Sequence, residues 1–255
     1  MRVTPPRRFW ALAAVLAAGC ARGVPGEVEA SYVSGKADGL PDRLRKVDDH
    51  RLHVDEPSDL AFADGRLFTV SDAHSRIYEI DDDGDVRSEL DVEGRDLEAL
   101  AIDRDGDFVI ADESRATIWH IAADGERHDP IEVPDADDGN SGIEGLAFDR
   151  AGHLLVAKEK DPARIIEIDE RGDERRNEKI DFAEDLSALA WNPEDRHLYA
   201  LSDEDHTLFR LDADWEVITA WKLPVKHPEG LAFDGNLVYV ASDSEERLYL
   251  YELAD

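Results

Sequence analysis

Three glutamates recur at the same place in a short repeated phrase of this chain. Glu98, Glu144 and Glu229 each stand two residues before a leucine. Three carboxylates brought to one point cannot all stay ionised unless a cation or basic groups offset their repulsion. Oxygen ligands alone favour a hard cation, and a flexible set of carboxylates and carbonyls favours calcium over magnesium. The phrase therefore predicts a calcium site, provided that the fold brings its copies together.

The spacing of the phrase predicts the fold class. It occurs five times, around Leu60, Leu100, Leu146, Leu189 and Leu231. These leucines are 40, 46, 43 and 42 residues apart, which is the length of one four-stranded propeller blade. Within each repeat, apolar and alternating strands follow one another across Gly- and Asp-bearing turns. We predict an all-β, five-bladed β-propeller over residues 44–255, because a sixth blade would need about 40 more residues.

The two ends of this region are predicted to complete each other. The last repeat stops at Leu253, after its third strand, and the segment Leu44–Val54 precedes the first phrase with nothing before it to pair with. If that N-terminal segment supplies the outer strand of the last blade, the ring closes without an open sheet edge.

A second set of residues is expected beside the three glutamates. In a propeller, the first strand of a blade begins at the end of the axis where the second strand finishes, so both sets meet on one face. The possible second ring consists of Asp72, Asp112, Asp203, Asp243, Glu159 and Glu204. Lys158 and Lys160, on the same face, either contact an anionic group or neutralise neighbouring acids. The alternative for the acids is structural: they accept backbone hydrogen bonds or cap strand ends without any metal.

The N-terminal residues 1–20 have the features of an export signal. Three arginines precede an uncharged run, residues 9–18, that is shorter than the roughly 20 residues needed to span a bilayer. Cys20 is the only cysteine, so no internal disulfide can form. Residues 16–20 resemble the lipobox of bacterial lipoproteins, which predicts lipidation at Cys20, with simple secretion as the alternative. We expect a membrane-anchored lipoprotein that faces the periplasm or the cell exterior, with a flexible tether over residues 21–43.

The charge of the chain excludes some classes of partner. The formal net charge is −32 at pH 7, and such a surface repels phosphate backbones and anionic headgroups. We therefore expect no nucleic-acid partner, and membrane contact through the lipid anchor only. The sequence also shows no close histidine pair for zinc, no nucleophile elbow and no glycine-rich phosphate loop.

Four stretches of the chain carry a family resemblance. They are Gly142–Asp149, Val156–Pro162, Leu201–Glu204 and Pro228–Ala232. Together they resemble the SdiA-regulated, or YjiK-like, family of envelope proteins, and the likeness covers most of the chain from Leu44 to Leu253. The resemblance implies a five-bladed propeller with a calcium ion on its concave face and no established biochemical activity. It also implies that Glu98, Glu144 and Glu229 are the metal-facing positions.

Two functions are compatible with such a protein. The first is a binding module whose calcium ion rigidifies the face that holds a small-molecule ligand or an envelope protein. The alternative is a calcium-dependent hydrolase, lactonase-like or phytase-like, that uses the same central metal. We favour the binding module, because no residue stands out as a general base. Phosphoester chemistry also needs more positive charge than Lys158 and Lys160 provide.

Overall fold

The computed structural model of the chain describes residues 26–37, 39–122, 125–128, 130–133 and 142–254. The predicted export signal and Cys20 lie outside the described residues. The described part is all-β, with 21 strands and one short 3-10 turn, Glu113–Arg115. It holds no helix with the length and apolar character needed to cross a membrane.

The strands are short and evenly distributed along the chain. In chain order they are β1 (Glu27–Val33), β2 (Arg43–Arg51), β3 (Pro57–Ala63), β4 (Arg66–Ser71), β5 (Arg76–Ile80), β6 (Val86–Asp91), β7 (Leu97–Ile102), β8 (Phe108–Asp112), β9 (Thr117–Ile121), β10 (Ile131–Glu132), β11 (Ile143–Phe148), β12 (Leu154–Lys158), β13 (Arg164–Ile168), β14 (Glu174–Lys179), β15 (Ala188–Asn192), β16 (His197–Ser202), β17 (Thr207–Leu211), β18 (Val217–Lys222), β19 (Pro228–Asp234), β20 (Leu237–Ser242) and β21 (Arg247–Ala254).

These strands form four antiparallel sheets. Three of the sheets contain the consecutive strands β3 to β6, β7 to β10 and β11 to β14. The fourth has nine strands, in the order β15-β16-β17-β18-β1-β2-β21-β20-β19. It therefore joins two further repeats, β15 to β18 and β19 to β21, through the N-terminal strands β1 and β2.

Burial changes from strand to strand in the order that the hydrophobic pattern predicts. The second strand of a repeat is packed on both faces, and β8 and β12 are buried at every position. The fourth strands β6 and β14 are polar, and in β6 all positions except Leu90 are exposed. The fourth strand β18 is an exception, buried at its four central positions, because β1 pairs with its outer edge. Apolar clusters fill the spaces between neighbouring sheets; one of them joins Ala101 of β7 to Leu146 of β11. The core therefore lies between the sheets, around a common axis.

The first strands of the repeats surround this axis. β3 contacts β7, β7 contacts β11, β11 contacts β15, β15 contacts β19, and β19 contacts β3 again. The approach is close: a Cβ atom added to Gly145 of β11 would lie 2.6 Å from the backbone nitrogen of Leu189 in β15. Real Cβ atoms do not come so near a backbone atom, so the glycine permits the two strands to meet. This packing brings the starts of the first strands together at one end of the axis.

The N-terminal strands complete the fourth sheet. β2 pairs with β21 along its whole length, from Arg43 opposite Ala254 to Arg51 opposite Arg247. β1 pairs with β2 on one side and with β18 on the other.

The prediction of a flexible tether over residues 21–43 is therefore wrong for residues 27–33, which form β1. Val28 and Ala30 pack against the apolar cluster that contains Trp221. The indole Nε1 of Trp221 also donates to the carbonyl of Asp42, at 2.8 Å. The buried contacts and hydrogen bonds of this part of the chain offset the conformational entropy that is lost when it becomes ordered.

Candidate metal centre

A cavity of about 250 Å³ lies where the first strands begin and the second strands end. Ten of the residues that line it are acids, and Lys160 is the one basic residue among them. The lining residues are Glu56, Ser58, Asp72, Glu98, Glu144, Glu159, Lys160, Asp185, Ser187, Asp203, Glu204, Glu229 and Asp243. The fold thus gathers acids from all the repeats in one small space, which is the condition on which the predicted cation site depended.

The three repeated glutamates all line this cavity. Glu98 accepts a hydrogen bond from the Ser58 hydroxyl. In the described part of the chain, no hydrogen bond or ion pair satisfies the carboxylate of Glu144 or Glu229. Their oxygen atoms therefore keep lone pairs that are free for a ligand. The structural alternative, in which these acids accept backbone hydrogen bonds, does not describe the three glutamates.

Burial raises the pKa of each of the three glutamates. The pKa of Glu98 rises to about 8, first through loss of solvent and then through the charges of Asp72 and Glu113. The pKa of Glu229 rises to about 9 for the same leading cause, with Asp203 adding to it. Desolvation also holds the pKa of Glu144 well above its usual range. A bound cation would reverse these shifts, because it favours the ionised carboxylates.

Five of the six residues predicted for a second ring also line the cavity: Asp72, Glu159, Asp203, Glu204 and Asp243. Loss of solvent raises the pKa of Asp72 to about 6. The Oδ1 atoms of Asp203 and Asp243 are buried and have no hydrogen-bond partner. A buried oxygen without a donor is costly, and a bound cation would remove that cost. The donor set and these two oxygen atoms therefore fit a metal ion.

The prediction was wrong for Asp112. Its carboxylate is fully buried at the end of β8 and is held 2.7 Å from the guanidinium of Arg115. It also accepts a hydrogen bond from the backbone N–H of Arg95, at 3.2 Å. The 3-10 turn that follows β8 brings Arg115 back over this side chain, so Asp112 stabilises the turn and does not line the cavity.

The two lysines differ in their contacts. Lys158 is buried, and its Nζ donates to the backbone carbonyl of Lys160 at 2.7 Å, so it braces the loop and does not line the cavity. Lys160 does line it, with its Nζ 2.6 Å from Glu159 and 3.7 Å from Glu204. Lys158 therefore does not reach the cavity, and the contacts of Lys160 favour neutralisation of neighbouring acids over contact with an anion.

Sequence reasoning missed a set of polar residues that stand four places before the repeated leucine. They include Glu56, Asp185 and His227. Glu56 and Asp185 line the cavity. Asp185 accepts hydrogen bonds from the Ser202 hydroxyl and from two backbone N–H groups, so it does have the structural role of a turn cap. The recurrence of a polar residue at this place was a signal available in the sequence.

His227 adds a possible nitrogen ligand at the rim. Single ligand atoms of Asp203, His227 and Glu229 lie within 4.8 Å of one another, and the same holds for Asp96, Glu98 and Glu113. His227 Nδ1 lies 3.2 Å from Asp203. Each group contains one of the repeated glutamates, Glu229 or Glu98. Either group could therefore hold a metal ion at the end of the axis where the cavity lies.

Comparison with solved structures gives likenesses to propeller proteins at low identity. The chain is 18% identical to a virginiamycin B lyase from Staphylococcus aureus, with a TM-score of 0.51, over 77% of this chain and 66% of that one. It is 11% identical to a glutaminyl cyclase from Myxococcus xanthus, with a TM-score of 0.66, over 83% and 97%. It is 16% identical to a gluconolactonase from Xanthomonas campestris, with a TM-score of 0.57, over 91% and 99%. At such identities the likeness supports the β-propeller fold and says nothing of activity.

The family assignment rests on a longer match. The model of the SdiA-regulated family matches residues 46–251, which run from β2 to β21 and include all five repeated phrases. The resemblance drawn from four short stretches is thereby confirmed over most of the chain. The chain belongs to the SdiA-regulated family.

Proposed function

We propose that this protein is a five-bladed, calcium-binding β-propeller, anchored in the cell envelope, that binds a small molecule or an envelope protein at its metal face. One observation carries the proposal. Glu98, Glu144 and Glu229 converge in one cavity, while the one base that lines it, Lys160, is engaged by Glu159 and Glu204. The charge of the three glutamates thus has no counterpart in the lining, and a calcium ion supplies one.

Two features support the blade count and the closure. The first strands β3, β7, β11, β15 and β19 contact one another in a closed cycle. β2 pairs with β21 and adds the fourth strand that the last repeat lacks. When an N-terminal strand takes the outer position of the last blade, that blade has its full set of four strands and its third strand has no unpaired edge.

The donor set favours calcium. Calcium takes six to eight oxygen ligands in flexible geometry, whereas magnesium needs a near-ideal octahedron and keeps several waters. The cavity offers carboxylates from ten residues on separate loops and strand ends, and such a set adapts to the larger ion. Among the described residues, His227 is the one histidine grouped with these acids. Its side chain is more than half exposed at the rim, so the inner ligands in this proposal are oxygen atoms.

Calcium titration of the chelator-treated protein tests the metal. We expect one tight site, and at least about 10-fold weaker binding in Glu144→Gln, since charged ligands set calcium affinity. Glu178→Gln is the matched control: Glu178 lies in the wet outer strand β14 and pairs with Arg176, so its loss should leave the affinity unchanged. Wild-type protein without a calcium site, or equal affinities for all three proteins, would contradict the proposal.

The same variant separates the two functional classes. Purified protein should not turn over lactones, aryl esters or phytate with or without calcium, because a binding module has no reaction to perform. Calcium-dependent turnover that disappears in Glu144→Gln would replace the binding module with the hydrolase.

Fractionation of a bacterial host that expresses the full chain tests the anchor. We expect wild-type protein in the membrane fraction and Cys20→Ser in the soluble fraction, because the thioether-linked lipid is the proposed attachment. Cys20→Ser removes this group and changes none of the residues that the structure describes. Recovery of both proteins in the same fraction would rule out the lipid anchor.

A further inference from the structure

Asp59 is a buried acid, and no basic side chain among the described residues pairs with it. It is fully buried, and its carboxylate accepts three backbone hydrogen bonds. The donors are the N–H groups of Leu60 at 2.7 Å, Leu100 at 2.9 Å and Leu231 at 3.5 Å. These leucines belong to the first strands of three different repeats, β3, β7 and β19. One side chain thus ties three inner strands together.

The acid is peculiar to the first repeat. At the same place in the phrase the other four repeats have the small residues Ala99, Gly145, Ala188 and Gly230. The neighbours of Asp59 in sequence line different cavities: Ser58 lines the acidic one, and Leu60 lines a second one of about 390 Å³ at the other end of the axis. Asp59 therefore lies between the two cavities, where the first strands are closest.

We infer that Asp59 is a positioning residue for the metal centre; the inference rests on the proposed function. The geometry gives the reason. Glu98 stands two residues before Leu100 on β7, and Glu229 stands two residues before Leu231 on β19, each at a β-bulge. Each glutamate is therefore carried by a strand whose backbone amide is bound by Asp59. The hydrogen bonds of Asp59 thereby fix β7 and β19 relative to each other, and with them the positions of Glu98 and Glu229. Glu144 lies on β11, whose backbone Asp59 does not contact.

An asparagine cannot reproduce this tie. A carboxylate offers two acceptor oxygens, and here Oδ1 serves Leu60 and Leu231 while Oδ2 serves Leu100. An asparagine has one acceptor oxygen, and its amide group is a donor. In Asp59→Asn a donor would face at least one backbone N–H. Asp59→Asn therefore keeps the size of the side chain but loses the hydrogen bond to at least one of the three strands.

Calcium calorimetry on Asp59→Asn tests the inference. We expect at least about 10-fold weaker binding than wild type. Tyr239→Phe is the control, because Tyr239 is also buried and its hydroxyl donates to Asp82 at 2.9 Å, away from the metal cavity. It loses one hydrogen bond to a carboxylate without releasing a first strand and should keep wild-type affinity. Equal affinities of Asp59→Asn and Tyr239→Phe would overturn the inference.

Double-mutant cycles separate positioning from a general loss of stability. Asp59→Asn combined with Glu98→Gln should weaken binding by less than the product of the two single effects, because both act through β7. Combined with Glu144→Gln, the effects should multiply. Independence of Asp59 from Glu98, or equal coupling to both glutamates, would reject the positioning role.

Amide hydrogen exchange measures the tie without any metal. The amides of Leu60, Leu100 and Leu231 should exchange faster in Asp59→Asn than in wild type, while amides of β13 stay unchanged. If wild-type protein binds no calcium, the proposed function fails while this measurement still tests the tie. If the three amides keep their protection, the tie itself is refuted.

Discussion

Without calcium, the protein is expected to lose stability as the pH rises from about 5 to about 9. The cause is the raised pKa of the metal-facing glutamates: about 8 for Glu98 and about 9 for Glu229, against an ordinary value of 4.5. Between these limits the folded protein holds protons that the unfolded chain has released. The contribution of these glutamates to stability therefore falls with rising pH, and it is fully present only below about 4.5, the pKa of a glutamate in the unfolded chain.

The effect is large because several groups contribute. Each proton held only by the folded state changes the free energy of unfolding by about 1.4 kcal/mol per pH unit. A single such proton between pH 6 and pH 8 therefore gives about 3 kcal/mol, and Glu144, whose pKa is also raised, adds to this. Calcium should abolish the slope, because the metal keeps the carboxylates ionised in the folded state, and its binding should release protons near neutral pH.

Chemical denaturation in the presence of a chelator, repeated across this pH range, measures the slope. A triple variant with glutamine at positions 98, 144 and 229 is the control, since it retains the rest of the acidic surface and cannot hold the protons. Its stability should depend much less on pH. A wild-type protein whose metal-free stability is flat from pH 6 to pH 8 would show that the three glutamates are ionised without a metal.

Arg210→Ala is expected to cost about 3–5 kcal/mol of stability, the usual effect of breaking a buried ion pair. Arg210 is fully buried in β17, with its guanidinium 3.3 Å from Asp195. Its Nε donates to the Tyr199 hydroxyl at 2.6 Å, and its Nη1 donates to the carbonyl of Pro41 at 2.8 Å. It also lies 5.0 Å from the centre of the Trp221 ring. Its loss leaves the carboxylate of Asp195, which is only 11% exposed, without its cation. It also removes the hydrogen bond that holds the loop between β1 and β2 at Pro41.

Arg76→Ala is the matched control. Arg76 pairs with Asp91 at 2.6 Å and with Glu89 at 3.2 Å, but all three side chains are exposed. Its loss should cost less than about 1 kcal/mol. In Arg210→Met with Asp195→Asn, an apolar side chain and a neutral amide replace the ion pair, so part of the stability should return. Equal unfolding midpoints for Arg210→Ala and Arg76→Ala would contradict the role given to the buried arginine.

The repeated parts of the structure were accessible from the sequence, and the unrepeated parts were not. Glu98, Glu144 and Glu229 could be placed together because an identical local pattern recurs at blade-length spacing, and equivalent positions of equivalent units lie around one axis. β1 has no second copy, and its sequence, EVEASYV, is short and charged. β1 pairs with β2 and with β18, and β18 is about 190 residues away in sequence; local propensity does not report such distant pairing.

The side-chain errors have a similar origin. The loop that follows a second strand differs from repeat to repeat, so the direction of Lys158 or Asp112 depends on local turns that repetition does not predict. Asp59 has no counterpart in the other repeats, which have Ala99, Gly145, Ala188 and Gly230 at the same position, so repetition gives no signal for it. Its role depends on the N–H groups of Leu100 and Leu231, which belong to other repeats.

The pairing of β2 with β21 also determines when the ring can form. It joins Arg43 to Ala254, so β2, which is made early in translation, must wait for β21, which is made about 200 residues later. A growing chain on the ribosome can collapse the repeats between them, but β2 keeps an unpaired edge until β21 emerges. Contacts between such distant positions also delay closure, because a long loop must first be ordered. During that interval the emerging protein is most exposed to aggregation and to proteases.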